Sequence, residues 1–150
     1  MGRSARAIVL GIIGALALMP EALAINCVQY VKASSDFEIS GNAWLWWEHA
    51  AGIYGRGTTP REGSVLVFKR TRKMQAGHVA LVARVLDAGT LLIDHANWGS
   101  GGGEKGRVQR GVLAIDCSQR HDWSAVCVWN EKYEVYGRPY PTNGFIYPQD

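Results

Sequence analysis

The chain lacks the spacings that mark common zinc sites. It has no CxxC pair and no HExxH run. It has no internal repeat and no low-complexity domain. It also lacks an apolar run long enough for a comfortable membrane span. The run Ala7 to Met19 (AIVLGIIGALALM) has 13 residues, where a spanning helix needs about 20. Charge of one sign is not in excess: 16 Lys and Arg stand against 13 Asp and Glu, a formal +3. That balance is too mild to imply a nucleic-acid partner. Cysteine is scarce, with three in 150 residues.

What the front of the chain does have is an export pattern. Arg3 and Arg6 precede the apolar run, Pro20 ends it, and Ala22-Leu23-Ala24 fits an A-x-A cleavage site. The expectation is a signal peptide over 1–24 and one domain over 25–150. Losing Arg3, Arg6 and Glu21 lowers the formal charge to +2. A retained anchor or a buried helix is the plainer alternative. Lipidation at Cys27 is a further one, but a lipobox wants a small residue where Asn26 stands.

An exported protein meets an oxidising compartment, where thiols close together pair. Cys117 lies in VLAIDCS and Cys127 in SAVCVW, two strand-like stretches around a turn-like SQRHD. Opposite hairpin positions have Cβ atoms about 4.5–5.5 Å apart, near disulfide range. The expected pair is Cys117 with Cys127, which leaves Cys27 over. A leftover thiol is a candidate reactive group, although a small buried hydrophobe is the common fate of cysteine.

Cys27 opens a short helical stretch with Asn26 as N-cap. Unpaired N–H groups at a helix start favour a thiolate. A second helix is expected over AWLWWEHAAGIYG, with Trp44, Trp47, Ala51 and Tyr54 on its apolar face. Strands follow at SVLVFK, HVALVARV and TLLIDHANW, then two more that carry Cys117 and Cys127. GRPYPTNG reads as coil, and FIYP as an edge strand ending at Pro148. Helices first and antiparallel strands after them give an α+β class.

His95 and Asn97 share one strand face. A four-residue loop, Leu86 to Gly89, would set His78 opposite Asn97 and diagonal to His95. A loop one residue different would break that cluster unless a bulge compensates. Taken singly, His78 reads as a satisfied strand end and His95 as a core histidine. Taken with a leftover cysteine on a helix start, they supply a nucleophile, a base and a group to hold the base. A zinc site from Cys27, His78 and His95 is possible in residue type only, so no metal and no cofactor is expected.

The segments NCVQYVK, GHVALVARV and DHANW, in this order and spacing, resemble the CHAP family, the cysteine- and histidine-dependent amidohydrolases/peptidases. PREGSVLVF (Pro60 to Phe68) is similar to the family's Pro-x-x-Gly segment before the histidine strand. The resemblance runs from Asn26 to about Trp98 and continues more weakly through DWSAVCVWN. It implies a papain-like CHAP fold, with N-terminal helices packed on an antiparallel sheet. It implies Cys27 as nucleophile, His78 as base and His95 in the third position, with Asn97 and Trp98 matching the residues that follow.

Two departures stand out. An imidazole replaces the more frequent carboxylate, and a neutral His stabilises an imidazolium less. The Cys27 N–H supplies one oxyanion donor, while Asn26, Gln29 and Tyr30 all stay open as the second. Trp46, Trp98 and Tyr30 are the groove candidates, and Trp44 and Trp47 are assigned to the core. KRTRK (Lys69 to Lys73) is a solvated basic loop or a site for peptide carboxylates. The loop around Gly101 to Gly103 is a guess at a flap.

The expected activity is secreted or periplasmic hydrolysis of peptidoglycan amide bonds, in the stem peptide or the muramoyl–alanine link. The readings beside it are an amidase on another amide and a catalytically silent wall-binding module. The expected partner is peptidoglycan. No nucleic acid is expected, and no membrane once the leader is removed. A protein activator stays open.

Overall fold

A computed structural model describes residues 24–99 and 105–150. The expected signal peptide, apart from Ala24, and the glycines 101–103 lie outside the described residues. Eight strands make up most of the fold: β1 (Arg56–Gly57), β2 (Val65–Phe68), β3 (His78–Asp87), β4 (Thr90–Ala96), β5 (Val108–Asp116), β6 (Ala125–Asn130), β7 (Val135–Tyr136) and β8 (Tyr140–Ile146). All pairings are antiparallel, in the order β1-β8-β2-β3-β4-β5-β6-β7. β8 also pairs with β6, and that pairing closes the run from β8 to β6 into a barrel. Helical structure is slight: α1 (Cys27–Ser34), a 3-10 turn (Ala43–Leu45) and α2 (Trp46–His49). The expected α+β arrangement holds in part: the sheet is antiparallel but closes into a barrel, helices are few, and α1 packs on the sheet through Tyr30 and Val31.

Two apolar clusters explain the strand patterns. Leu66, Phe68, Ala80, Val82, Leu91, Ile93, Ala114, Val126, Val128 and Phe145 cluster together, which places them in the barrel interior. Val65, Val67, Val79, Ala96 and Ile146 pack instead against Tyr30 and Val31 of α1 and against Trp46. The run VLVF is apolar throughout because β2 is buried on both faces.

The second helix is shorter and shifted in phase. Its buried residues are Ala43, Trp46 and Ala50, one position before the expected Trp44, Trp47 and Ala51. The 3-10 turn makes the shift, and Gly52 at φ 76° follows the last turn. Trp46 is 0% exposed and its Nε1–H donates to the Gly41 carbonyl. It belongs to the core, not to a groove wall.

The C-terminal segment is also corrected. β8 starts at Tyr140, inside the expected coil, and is no edge strand, since it pairs with β1, β2 and β6. Pro141 is tolerated near a register shift against β2, and its carbonyl accepts from the Lys69 N–H.

The β3–β4 turn is tighter than expected. Asp87 pairs with Thr90, so two residues make the turn, and Asp87 Oδ1 accepts from the Gly89 N–H. Two register shifts along the hairpin then restore the pairing Leu81↔Asp94. The paired register ends there, and Asn97, at φ 61°, lies one residue past the end of β4. The bulges compensate for the short loop.

Candidate active site

Local sequence builds the cysteine end of the site. Asn26 Oδ1 accepts from the Gln29 N–H, and Gln29 Oε1 accepts from the Asn26 N–H. This reciprocal cap fixes the first turn of α1, and Cys27 is its first residue. Cys27 is a free cysteine and buried. Burial pushes its thiol pKa up, while the backbone N–H groups of Val79, Val28 and Cys27 itself and the charge of Lys105 pull it down. Val79 follows His78, so the thiol lies against the start of β3.

Gly77 sets the entry into β3. It has φ 69°, and a Cβ there would lie 2.7 Å from the Trp44 nitrogen. Trp44 N–H also donates to the Ala76 carbonyl, which ties this loop to the 3-10 turn. His78 then continues the inward row of Ala80 and Val82, and His95 that of Leu91 and Ile93. The two rings meet at one mouth of the barrel.

His78 Nε2 and His95 Nδ1 are 3.0 Å apart, which leaves His78 Nδ1 free of that bond. Trp98 packs edge-on to His78 at 4.7 Å and stacks on His95 at 5.3 Å. Phe68 closes the other side of His78 at 5.6 Å. Burial holds His78 well below its ordinary pKa, and the charges of His95 and Lys105 add to this. Burial alone lowers His95 to about 4. Burial thus favours the uncharged form of all three groups.

A cleft of about 820 Å³ opens over Cys27 and His78. Asn26, Asn97 and Trp98 also line it, while His95 lies behind His78, fully buried. Asn97 has φ 61°, a conformation asparagine tolerates. Its Oδ1 accepts from the Gly106 N–H, and the Gly106 carbonyl accepts from the Ile25 N–H. Asn97 thus braces, through Gly106, the extended segment just before Cys27.

Tyr30 is corrected: it is 4% exposed, in the core with Val31, and is not part of the cleft wall. Of the three oxyanion candidates only Asn26 lines the cleft. Cys117 and Cys127 are disulfide-bonded, with Cα atoms 5.9 Å apart. The register Ile115↔Cys127 makes them diagonal neighbours, not opposite ones. Among the described residues no helix is long and apolar enough to cross a membrane, and no group of three or more His, Cys, Asp or Glu is placed to hold a metal ion.

The sequence reading missed the far wall of the cleft. Val128, Asn130, Val135 and Tyr140 come from β6, β7 and the start of β8, and Tyr133 and Arg138 from the connections between them. Only barrel closure brings them opposite Cys27.

The CHAP domain family model matches residues 19–97. That is more than half of the chain, and the chain belongs to this family. No curated protein and no solved structure gives a significant match. Membership points to amidase-type hydrolysis, with peptidoglycan as the substrate it suggests.

Proposed function

We propose that this protein is an exported cysteine amidohydrolase or endopeptidase that cleaves peptidoglycan amide bonds through a thioester on Cys27. One observation carries the reading. A free cysteine starts a capped helix against β3, in the same cleft as His78, whose far nitrogen is held by His95. The order of nucleophile, base and third polar group follows the papain-like pattern. The Cys117–Cys127 bond supports action outside the cytoplasm, where disulfides persist.

The chemistry follows from the tautomers. With Nε2–H donated to His95 Nδ1, His78 has a lone pair on Nδ1. That nitrogen takes the Cys27 proton, and the sulfur attacks the amide carbonyl carbon. The Cys27 N–H faces the developing oxyanion, with the free amide of Asn26 as second donor. His78 returns the proton to the departing amine as the C–N bond breaks, leaving a thioester. Water, deprotonated by His78, then attacks the thioester carbon and releases the carboxylic acid. The sulfur regains its proton.

Digestion of purified sacculi, with products read by mass spectrometry, tests this. New muropeptide ends are expected from the wild type and none from Cys27→Ala or His78→Ala, with both variants folded. His95→Ala should keep a trace, since it loses orientation and not the reacting group. Full activity in Cys27→Ala would end the proposal.

A further inference from the structure

The cleft has a charge pattern that its catalytic residues do not need. Lys73, Lys105 and Arg138 line it, and among the described lining residues there is no Asp or Glu. None of the three cations is ion-paired among the described residues, where the single salt bridge is Arg120–Asp122. Arg138 is held in place: its guanidinium lies 4.9 Å over Tyr140, whose ring is 4.8 Å from Trp98. Lys105 sits at the reactive end, with its aliphatic chain along Gly99.

Lys105 acts on both partners of the proton transfer: its charge lowers the Cys27 thiol pKa and disfavours protonation of His78. An anion bound at Lys105 would cancel that field. We propose that the cleft takes a peptide with a free carboxylate beside the scissile amide, bound by Lys105 and Arg138. The carboxylate supplies both affinity and relief of the charge on His78. This rests on the amidase reading, and the test separates the two.

The probes are a synthetic stem tetrapeptide with free carboxyl groups and the same peptide with carboxamides. Binding is measured by calorimetry on Cys27→Ala, and turnover on the wild type. The carboxylate form is expected to bind about tenfold tighter, as a partly exposed charge pair allows. The advantage should fall with added salt and vanish in Lys105→Gln/Arg138→Gln on the Cys27→Ala background. Equal binding of both forms, binding of neither, or an advantage unchanged in that variant would overturn the proposal. Discrimination in binding with no wild-type turnover of either peptide and no new muropeptide ends from sacculi would end the amidase reading and leave the subsite standing. Turnover of both forms at one rate would do the reverse.

A second observation is independent of the cleft. His95 Nε2 and Gln109 Oε1 are buried and without a hydrogen-bond partner among the described residues. They belong to a directly opposed pair, His95↔Gln109. The neighbouring pair Ala96↔Val108 packs toward α1, so His95 and Gln109 face the barrel interior. A register shift between Ile93 and His95 makes this so, with Gly111 at φ 63° and its N–H on Asp94 Oδ1. Opposed Cβ atoms lie about 4.5–5.5 Å apart, within reach of an amide by rotation.

We infer that Gln109 is a positioning residue. Its carbonyl accepts the His95 Nε2–H and fixes the tautomer that leaves His95 Nδ1 free to accept from His78. Nitrogen-15 NMR of the histidine rings reports that tautomer directly. Gln109→Leu is expected to mix the His95 tautomers and lower kcat about tenfold with KM unchanged, an effect on the scale of one lost buried hydrogen bond. Gln109→Glu, which keeps an acceptor, should restore the single tautomer. Wild-type tautomer and kcat in Gln109→Leu would overturn the role, as would equal loss in both variants.

Discussion

Mild acid should loosen this fold, and the two buried histidines set how much. In the unfolded chain each ring titrates near its ordinary value of about 6.5. In the folded protein His95 titrates at about 4 and His78 well below its ordinary value. Between those values the unfolded state binds more protons, so stability falls as pH falls. Above pH 6.5 both states are neutral at these rings, and the full stability is present. For His95 the gap of about 2.5 pH units corresponds to about 3 kcal/mol, lost completely only once the pH is below 4. Between pH 7.5 and pH 5 its share is about 2 kcal/mol. His78 adds to it in the same direction. The half-buried Asp122 stays out of this window, because hydrogen bonds from Ser124 hold its carboxyl at about 2.

Urea unfolding at constant ionic strength measures this. A loss of about 2 kcal/mol lowers the midpoint by about 1 M at the slopes typical of small domains. His95→Gln keeps a polar side chain and removes one titration, so its midpoint should depend less steeply on pH. A wild-type midpoint unchanged from pH 7.5 to pH 5 would refute the reasoning. So would a His95→Gln protein with the full wild-type dependence.

The two tryptophans separate stability from activity. Trp46→Ala should cost about 3–5 kcal/mol in a chemical melt, as for a fully buried aromatic. Trp98→Ala should lower turnover well before it lowers the melt, because it removes the ring packed on both histidines. Replacing Cys117 and Cys127 together by Ser opens a loop of sequence separation 10 and should cost about 3 kcal/mol. Turnover per folded molecule should stay near wild type, read from active-site titration alongside the melt.

Much of the reactive end was legible because it rests on local rules. Asn26 and Gln29 spell a reciprocal cap, and strand alternation alone puts His95 on a face with Leu91 and Ile93. The register was legible only in outcome. The turn after Asp87 is two residues long, and bulges that no spacing shows restore the expected register at Leu81 and Asp94. The tryptophan assignments failed for a related reason. Helical periodicity was read one residue out of phase, because a 3-10 turn precedes α2 and brings Trp46 inward. Tyr30 failed because α1 lies between the barrel and solvent, and its inner face is core.

What the sequence hid most completely is closure. GRPYPTNG has the punctuation of a coil, yet Tyr140 to Ile146 is the strand that joins β2 to β6. That join divides the cleft by origin. Cys27, His78 and Asn97 come from the part that the family shares, residues 19–97. Arg138, Tyr133 and Tyr140 come from beyond it. The family match thus covers only part of the cleft: Lys105 and the lining residues from Val128 to Tyr140 lie beyond it, and the carboxylate subsite proposed at Lys105 and Arg138 has to be argued from them.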